Sequence, residues 1–567
     1  MLTNKRYVLW GLSRLTVRVA QAMSAGGAAV TVICLPEDSA FLRPLLRPPI
    51  HLLDYDNSAQ AGDVLRSAGL PEARCLLALS ETDLDNLRAA VAAREVAPDV
   101  PVVLRAFDPT LADQLEQGLN VRRAYSVSAL AAPAFVAAAC GDVVLETLRL
   151  GDGEVPICQL TLRADSPLIG LSTREIKSKF GCGVLARSSD GANWQSESGE
   201  NANTVLDVGQ QVLVSGPRDD VLRTVVRNAG WRKSRGRKRH TSATLTAPRS
   251  TRLPQFAIGL TAVLVGSVFV FAHALHLRAV DAVYFVVTTA TTTGYGDISL
   301  KDAPDWVKLF GCFVMLAGGA LLGILFSLLA AAATAERLDE TMSRRARRMS
   351  GHVVVVGLGN LGYRVTRQML DLGLEAAVLD LAPRPRFAET LRSQVPVLAG
   401  DASLADNLQR VSIESANALI ACTNDDLANI QTCLHARRLN PAITTVARVF
   451  DETLVAALPR AFAIDHALSA SHAAVSAFVG AATDERALRS IPLGDLDLLA
   501  GRYQVETALI GEKLSAWRQE GIRVLAFRTK TGSIQPPSEL VLPLAPGAEL
   551  ILCGPSSALR QVIGHES

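Results

Sequence analysis

Thr291-Thr292-Thr293-Gly294-Tyr295-Gly296-Asp297 is the stretch on which the reading of this chain turns. Glycine adopts positive φ without steric penalty, so Gly294 and Gly296 let consecutive carbonyls aim along one axis. Alone, such a run is a Gly-rich turn; its surroundings make it more. Before it lies the apolar stretch 279–291, too short to cross a bilayer and long enough for a re-entrant helix. Two longer apolar runs, 253–277 and 306–335, flank the pair. At ~1.5 Å per residue they reach roughly 38 and 45 Å as helices, against a hydrocarbon core of ~30 Å. The predicted order is outer helix 253–277, short helix 279–291, loop 292–296 and inner helix 306–335.

The stretch Asp281-Ala-Val-Tyr-Phe-Val-Val-Thr-Thr-Ala-Thr-Thr-Thr-Gly-Tyr-Gly-Asp297 resembles the pore module of two-span potassium channels, whose filter reads Thr-Val-Gly-Tyr-Gly. The resemblance supplies the mechanism: backbone carbonyls from four chains replace the hydration shell of K+. It implies a filter of Thr292, Thr293, Gly294, Tyr295 and Gly296, with K+ on the carbonyls of the first four. Thr293 stands where the family has Val, so its hydroxyl needs a partner behind the filter, and fine selectivity stays open. Tyr295, in place of an acid, favours potassium over a non-selective cation pore. Asp297, at the outer mouth, concentrates cations or braces the loop. Gly318-Gly319, midway along the second run, is the candidate gating hinge, since paired glycines are sites of helix bending; the plainer role is close helix packing.

At about 150 residues per domain, 567 residues make three or four units. The net charge of +2 gives no sign of nucleic acid. Nine cysteines without CxxC pairs argue against a disulfide framework or zinc site. The start, Met1-Leu-Thr-Asn-Lys-Arg-Tyr-Val, is not expected to be a signal peptide, because Gly11 and Arg14 interrupt the apolar run. Lys and Arg crowd 231–252 and recur at Arg344, Arg345, Arg347 and Arg348, with few between. That bias puts both termini in the cytoplasm of a protein of the cell membrane, with anionic lipid headgroups as partner of the basic linker.

Residues 1–230 and 351–567 read as two copies of one unit. Arg6-Tyr-Val-Leu-Trp-Gly-Leu-Ser-Arg-Leu-Thr16 aligns with His352-Val-Val-Val-Val-Gly-Leu-Gly-Asn-Leu-Gly362, and Val103-Leu-Arg-Ala-Phe-Asp108 with Val446-Ala-Arg-Val-Phe-Asp451. In each, short apolar strands alternate with Ala- and Leu-rich helical segments, the pattern of a parallel sheet of βαβ units. A smaller α+β lobe follows. The pairing is similar to RCK domains, with Leu168-Ile-Gly170 and Leu509-Ile-Gly511 as the small-lobe signature. The fold class is thus multi-domain: a two-span α-helical pore module with two Rossmann-like RCK domains. The expected boundaries are 1–140 and 141–230 for the first copy and its lobe, and 231–252 for the linker. The pore takes 253–335, a second linker 336–350, and the second copy and lobe 351–484 and 485–567.

In the second copy, Gly357-x-Gly359-x-x-Gly362 follows the Val353–Val356 strand and opens a helix. The first glycine permits the tight turn, the second lets a pyrophosphate approach, and the third allows close helix–strand packing. The helix start at Asn360 and Leu361 favours an anion. Asp380 ends the next strand, where an acid meets ribose hydroxyls. The resemblance adds Asp401 and Ala402, Thr423 and Asn424, and Arg448 as pocket residues. The plainer readings are that Asp401 and Asn424 cap helices and that Arg448 is a surface ion-pair partner. NAD(H), ADP and ATP all remain open as ligands, with Arg384 and Arg386 near enough to blur the exclusion of a 2′-phosphate.

The first copy keeps Gly11 but has Ser13, Thr16 and Cys34 at the other fingerprint positions. Thr16 is expected to crowd the helix–sheet contact. Glu37 and Asp38 stand near enough to replace the missing acid, and a divalent cation at carboxylates is the alternative ligand. The resemblance further implies a homotetramer whose eight RCK units form one gating ring. Conduction rather than catalysis follows, since no acid/base or nucleophile constellation accompanies the fingerprint. A membrane-anchored NAD-dependent oxidoreductase and a regulatory subunit of a separate transporter are the alternatives.

Overall fold

The computed structural model describes residues 5–34, 42–55, 59–107, 114, 121–150, 153–197, 204–231, 253–483, 489–493, 496–529 and 532–564. The basic linker 232–252, Glu37 and Asp38 lie outside them. Two compact units emerge: an α/β unit of Met1–Arg239 with Arg345–Ser567, and a helical unit of His240–Arg344.

The first copy holds the parallel strands β1 (Arg6–Trp10), β2 (Ala29–Cys34), β3 (His51–Asp54), β4 (Cys75–Ala78), β5 (Val102–Arg105) and β6 (Arg123–Tyr125), in the order β3-β2-β1-β4-β5-β6. Helix α1 (Arg14–Ala25) follows β1 and α2 (Val127–Ala139) follows β6. The lobe is an antiparallel sheet of β7 (Val143–Leu150), β8 (Gly153–Thr161), β9 (Gly183–Ser188), β10 (Gln195–Ser196) and β11 (Gln211–Ser215).

The helical unit comprises α3 (Leu253–Ala274), α4 (Ala279–Ala290) and α5 (Asp305–Ala346). Its core is aromatic: Phe271, fully buried, meets Phe285 edge-on at 5.0 Å and Phe310 at 5.4 Å. The sequence placed the outer helix to 277, the short helix to 291 and the inner helix to 335. The first two stop at Ala274 and Ala290, while α5 runs on to Ala346, through most of the expected linker 336–350. The reason is plain: 336–346 is charged but holds neither Gly nor Pro, and charged residues propagate a helix well. Glu340 and Arg344, one turn apart, pair at 2.5 Å. Among the described residues one stretch, Asp305–Ser327, is long and apolar enough to cross a membrane, and α3 contributes the shorter apolar Thr261–Ala274. The outward faces stay apolar, with Phe269, Leu309 and Leu316 each more than 70% exposed.

The second copy repeats the first: β12 (Val353–Val356), β13 (Ala376–Asp380), β14 (Val397–Ala399), β15 (Ala418–Ala421), β16 (Thr444–Arg448) and β17 (His466–Leu468), in the order β14-β13-β12-β15-β16-β17. Its helices include α6 (Asn360–Asp371), α7 (Ala405–Arg410), α8 (Asp426–Leu439) and α9 (Ala470–Ala482). Its lobe pairs β18 (Arg489–Leu493), β19 (Leu496–Gln504), β21 (Glu549–Pro555) and β20 (Arg523–Arg528) in that order. The four valines of β12 are buried, as in a strand covered on both faces.

The copies exchange helices. Ala131, Phe135 and Val136 of α2 join a core with Val353, Val355, Leu361 and Val365 of the second copy. Reciprocally, Ala474, Phe478 and Val479 of α9 join Tyr7, Leu9, Leu15 and Val19 of the first. Tyr125 meets Phe478 edge-on at 5.3 Å. Burying Phe135 and Phe478 contributes about 2–3 kcal/mol each, so neither sheet is complete without the other copy's helix. The lobes also share a core, in which Val155, Ile157 and Leu213 meet Leu498, Leu525 and Ile551.

Candidate functional site

In both sheets the strand order reverses beside the first strand, β1 or β12. The crevice at the carboxyl ends of strands beside such a reversal is where open α/β sheets bind ligands. In the second copy β12 runs into Gly357, whose φ of +88° suits glycine alone. A Cβ at Gly362 would lie 1.8 Å from the Gly357 carbonyl oxygen, so this glycine is required where α6 crosses β12. Gly359 differs: a Cβ there would meet nothing within 4 Å. Internal packing does not call for a glycine at 359, and the open space before it is what a phosphate group needs. Gly359 is also the N-cap of α6 and offers no side-chain cap, which leaves the helix start, at Asn360 and Leu361, to an anion.

Asp380, at the end of β13, faces this loop. One carboxylate oxygen takes the Leu358 N–H and the other the Ala382 N–H at 2.8 Å. Each oxygen has a second lone pair, so the locked carboxylate keeps capacity for ribose hydroxyls. Asp401 folds into a turn, accepting the Ser403 N–H at 2.8 Å and its hydroxyl at 2.7 Å, and these bonds hold its carboxyl below the usual range. Ala402 is buried behind it.

Across the crevice, Thr423 donates its hydroxyl to Asn429 Oδ1 at 2.8 Å. Arg448 donates to Asn424 Oδ1 at 2.8 Å and to the Thr423 carbonyl at 3.2 Å. Neither plainer reading from the sequence fits this geometry. The caps of α7 and α8 are Leu404 and Asp425, not Asp401 and Asn424. Arg448 serves carbonyls and an amide, and among the described residues no carboxylate lies in ion-pair range of it. Burial pushes its guanidinium down from the ordinary value.

One contributor is invisible to motif reading. Arg14, on α1 of the first copy, sets its guanidinium 3.8 Å from the centre of the Phe450 ring, and Arg448 sits 4.3 Å from the same ring. An arginine from each copy thus packs on the same aromatic ring beside the second crevice. Arg14 occupies the place of Asn360, and no signal in the sequence shows that the copies face each other there.

In the first copy the equivalent loop closes on itself. Ser13 Oγ accepts the Thr16 N–H at 3.1 Å, and the Thr16 hydroxyl donates to the Gly11 carbonyl at 2.8 Å. The expectation that Thr16 crowds the sheet is therefore corrected: it is buried without strain, bonded to the carbonyl that Gly362 must avoid in the other copy. With Ser13 capping α1, the anion site is already filled by the protein's own oxygen. Cys34 lies beside Asp54, which pairs with Arg43. Among the described residues no group of three or more His, Cys, Asp or Glu side chains is placed to hold a metal ion.

In the helical unit, the loop after α4 has φ of +60° at Thr292, +50° at Gly294 and +80° at Gly296. Positive φ is open to Gly294 and Gly296 at no steric cost, and at Thr292 it is a conformation that non-glycine residues seldom hold. Thr293 finds its partner in the Thr291 hydroxyl at 3.0 Å, which in turn donates to the Val287 carbonyl at 2.7 Å. The Tyr284 hydroxyl lies close to the Asp297 carboxylate, a placement that suits bracing of the loop. Gly318 and Gly319 separate: a Cβ at 318 would lie 2.5 Å from Ala290 Cα, whereas one at 319 would meet open space.

Comparison with known proteins agrees with this division. Residues 7–127 and 353–470 each match the TrkA-N domain family, and 258–335 matches the ion channel family. A probable potassium channel protein 2 of Methanocaldococcus jannaschii is 27% identical over 181 residues, 31% of this chain and 52% of that protein. The chain spans less than two thirds of the length of the curated relatives it matches. Among solved structures, the GsuK RCK domain aligns over 99% of this chain and 96% of its own at a TM-score of 0.50 and 15% identity. A structure described as the GsuK channel bound to NAD aligns over 99% and 79%, also at 0.50 and 15%. At that identity the likeness is one of fold. The chain is a protein of two TrkA-N domains with an ion channel domain set between them, homologous to the archaeal potassium channel proteins.

Proposed function

We propose that this chain forms a potassium-selective channel of the cell membrane whose opening is set by an adenine nucleotide, NAD(H), ADP or ATP, in the crevice of the second TrkA-N domain. The observation that carries the conduction is the loop Thr292–Gly296, left-handed at alternate residues and seated behind a short helix in the ion channel domain. Four such loops around an axis supply complete carbonyl rings for K+, with Thr292, Thr293, Gly294 and Tyr295 as ligands; one chain supplies a quarter of each ring. Asp297 braces the outer mouth and Gly319 is the flexible point of the inner helix. Both termini are cytoplasmic, and the eight TrkA-N units of a tetramer make one ring. The protein conducts and does not catalyse.

The nucleotide reading rests on Gly359, whose open space has no internal purpose, and on Asp380 locked beside it. Gly357, Asn360, Leu361 and Gly362 shape the phosphate cradle. Asp401, Ala402, Thr423, Asn424 and Arg448 close its sides. A nucleotide shifts the gate only by preferring one conformation of the ring to another. Liposomes loaded with the purified full chain test both parts together. Potassium flux exceeding sodium flux, altered by millimolar NADH, ADP or ATP, is the expected result. Equal sodium and potassium flux overturns the filter assignment; absence of nucleotide binding by calorimetry on the same protein overturns the crevice assignment.

A further inference from the structure

The two TrkA-N domains were made from one pattern, and they differ where α5 ends. Helix α5 finishes at Ala346, which is fully buried; its carbonyl takes the Met349 N–H of its own turn at 2.9 Å and, like the Met349 carbonyl after it, has a lone pair for a further partner. The second domain provides both partners. Ser412 Oγ donates to the Ala346 carbonyl at 3.2 Å and Ser415 Oγ to the Met349 carbonyl at 3.0 Å. The Gly351 N–H donates to the Ser415 carbonyl at 2.7 Å, and Asn417 Nδ2 to the Gly351 carbonyl at 3.0 Å. Every one of these bonds lies within the α/β unit.

Ser412 makes its bond from an unfavourable backbone, φ +53° and ψ +50°, a left-handed conformation that non-glycine residues seldom hold. The first domain shows what the fold alone prefers. The strand registers Tyr7↔Cys75 and Val353↔Ala418 make Gly69, Glu72 and Arg74 the counterparts of Ser412, Ser415 and Asn417. Gly69 holds the same left-handed turn, φ +74° and ψ +33°, at no steric cost. Among the described residues no helix end is bonded to the first domain at this place; the second receives one, and there glycine gives way to a hydroxyl.

The same residues lead back to the crevice. Ser412 is the second residue after α7, and its N–H bonds the Gln409 carbonyl of that helix at 3.0 Å. Arg410 donates to the Ala399 carbonyl at 2.9 Å, at the end of β14 and two residues before Asp401. Asn407 Nδ2 donates to the Asp401 carbonyl itself at 2.9 Å. On the other side of the turn, His352, fully buried, bonds the Val411 carbonyl through Nε2 at 2.8 Å. One short helix is therefore tied at its front to the Asp401 turn and at its back to the end of α5.

We propose that Ser412, Ser415 and Asn417 form a latch that fastens the end of the inner helix to the second TrkA-N domain, and that α7 carries the state of the crevice to this latch. The ligand arm rests on the nucleotide reading above; the latch itself does not. Two variants of the full chain test it. Ser412→Gly keeps the left-handed turn and removes the hydroxyl, so folding is preserved, and Ser415→Ala leaves the turn untouched. In both, amide exchange over 345–351 rises about tenfold, and the ratio of potassium flux with and without millimolar NADH falls about fivefold. NADH binding by calorimetry stays within about twofold. Unchanged exchange over 345–351 in both variants overturns the latch, and exchange that rises with an undiminished flux ratio overturns its role in coupling. If the unmodified protein binds none of NADH, ADP and ATP, the nucleotide reading falls, and the exchange result alone still upholds or overturns the latch.

Discussion

Gly359→Val separates ligand binding from folding in the second TrkA-N domain. The backbone at 359 has φ −77°, which valine accepts, and the new side chain meets open space. Thermal stability is expected to change little, while nucleotide affinity by calorimetry on the full chain falls by at least about tenfold, since the isopropyl group stands where a phosphate must approach. Thr16→Val asks the converse question in the first domain. It strips the buried Gly11 carbonyl of its donor and should cost about 1–3 kcal/mol in a denaturant titration. Asp142 gives a pH test. Burial pushes its carboxyl from the ordinary 3.8 up to about 7, against the pull of the Thr161 N–H, the Asn228 amide and the Arg163 charge. The folded protein thus keeps a proton that the unfolded chain releases. This stability is full below the unfolded value near 4 and is lost as pH rises through about 7, a span of roughly 4 kcal/mol. Melting curves between about pH 5 and 8 should show the decline, and Asp142→Asn should flatten it. At this scale the sequence was informative where spacing alone places a residue, as with the three glycines and Asp380. It could not show Arg14 on the Phe450 ring, because that contact exists only once the two copies have met.

Helix α5 is the element most misjudged from sequence, and its two glycines now carry different expectations. Gly318 packs on the backbone of α4, so Gly318→Ala drives the helices apart at a cost of about 1–3 kcal/mol. Gly319→Ala meets no obstacle and only stiffens the helix, since alanine is favoured over glycine by about 1 kcal/mol in a helix interior. Flux through liposomes should be depressed by the first through loss of folded protein, seen as a reduced yield on purification. In the second the yield should hold while the nucleotide response shrinks. A normal response in Gly319→Ala counts against a hinge at this point. Apolar runs announced α3, α4 and the body of α5 because burial in lipid or core leaves that signature. The far end of α5 lies beyond the apolar run by which the sequence bounds it, and its charged residues carry the helix on to Ala346.

At the scale of the molecule, the sequence revealed the duplication and left the exchange of α2 and α9 hidden. Both helices are Ala-rich and largely apolar, so their composition calls for burial without saying in which sheet. The exchange predicts how fragments behave. Residues 351–567 made alone should be insoluble or self-associated, because Phe478 and its neighbours lack the first sheet and Val353 and Val355 lack α2. Co-production with 1–231 should restore a soluble pair, detectable as one species by size exclusion; a well-behaved monomer of 351–567 contradicts the shared core.

The exchange also sets a clock on synthesis. The first domain leaves the ribosome with Tyr7, Leu9 and Leu15 awaiting α9, which is encoded about 340 residues later, beyond both apolar runs of the ion channel domain. At about 5–20 residues per second that face waits roughly 20–70 s while the helices after it are made and delivered to the bilayer. Nascent chains halted at 469 should therefore be cut readily by protease within 1–140, and chains halted some tens of residues beyond 482, far enough for α9 to clear the ribosome, should resist. Such a protein cannot finish its first domain until its last has begun, and its need for a chaperone falls on the half of the chain that is made first.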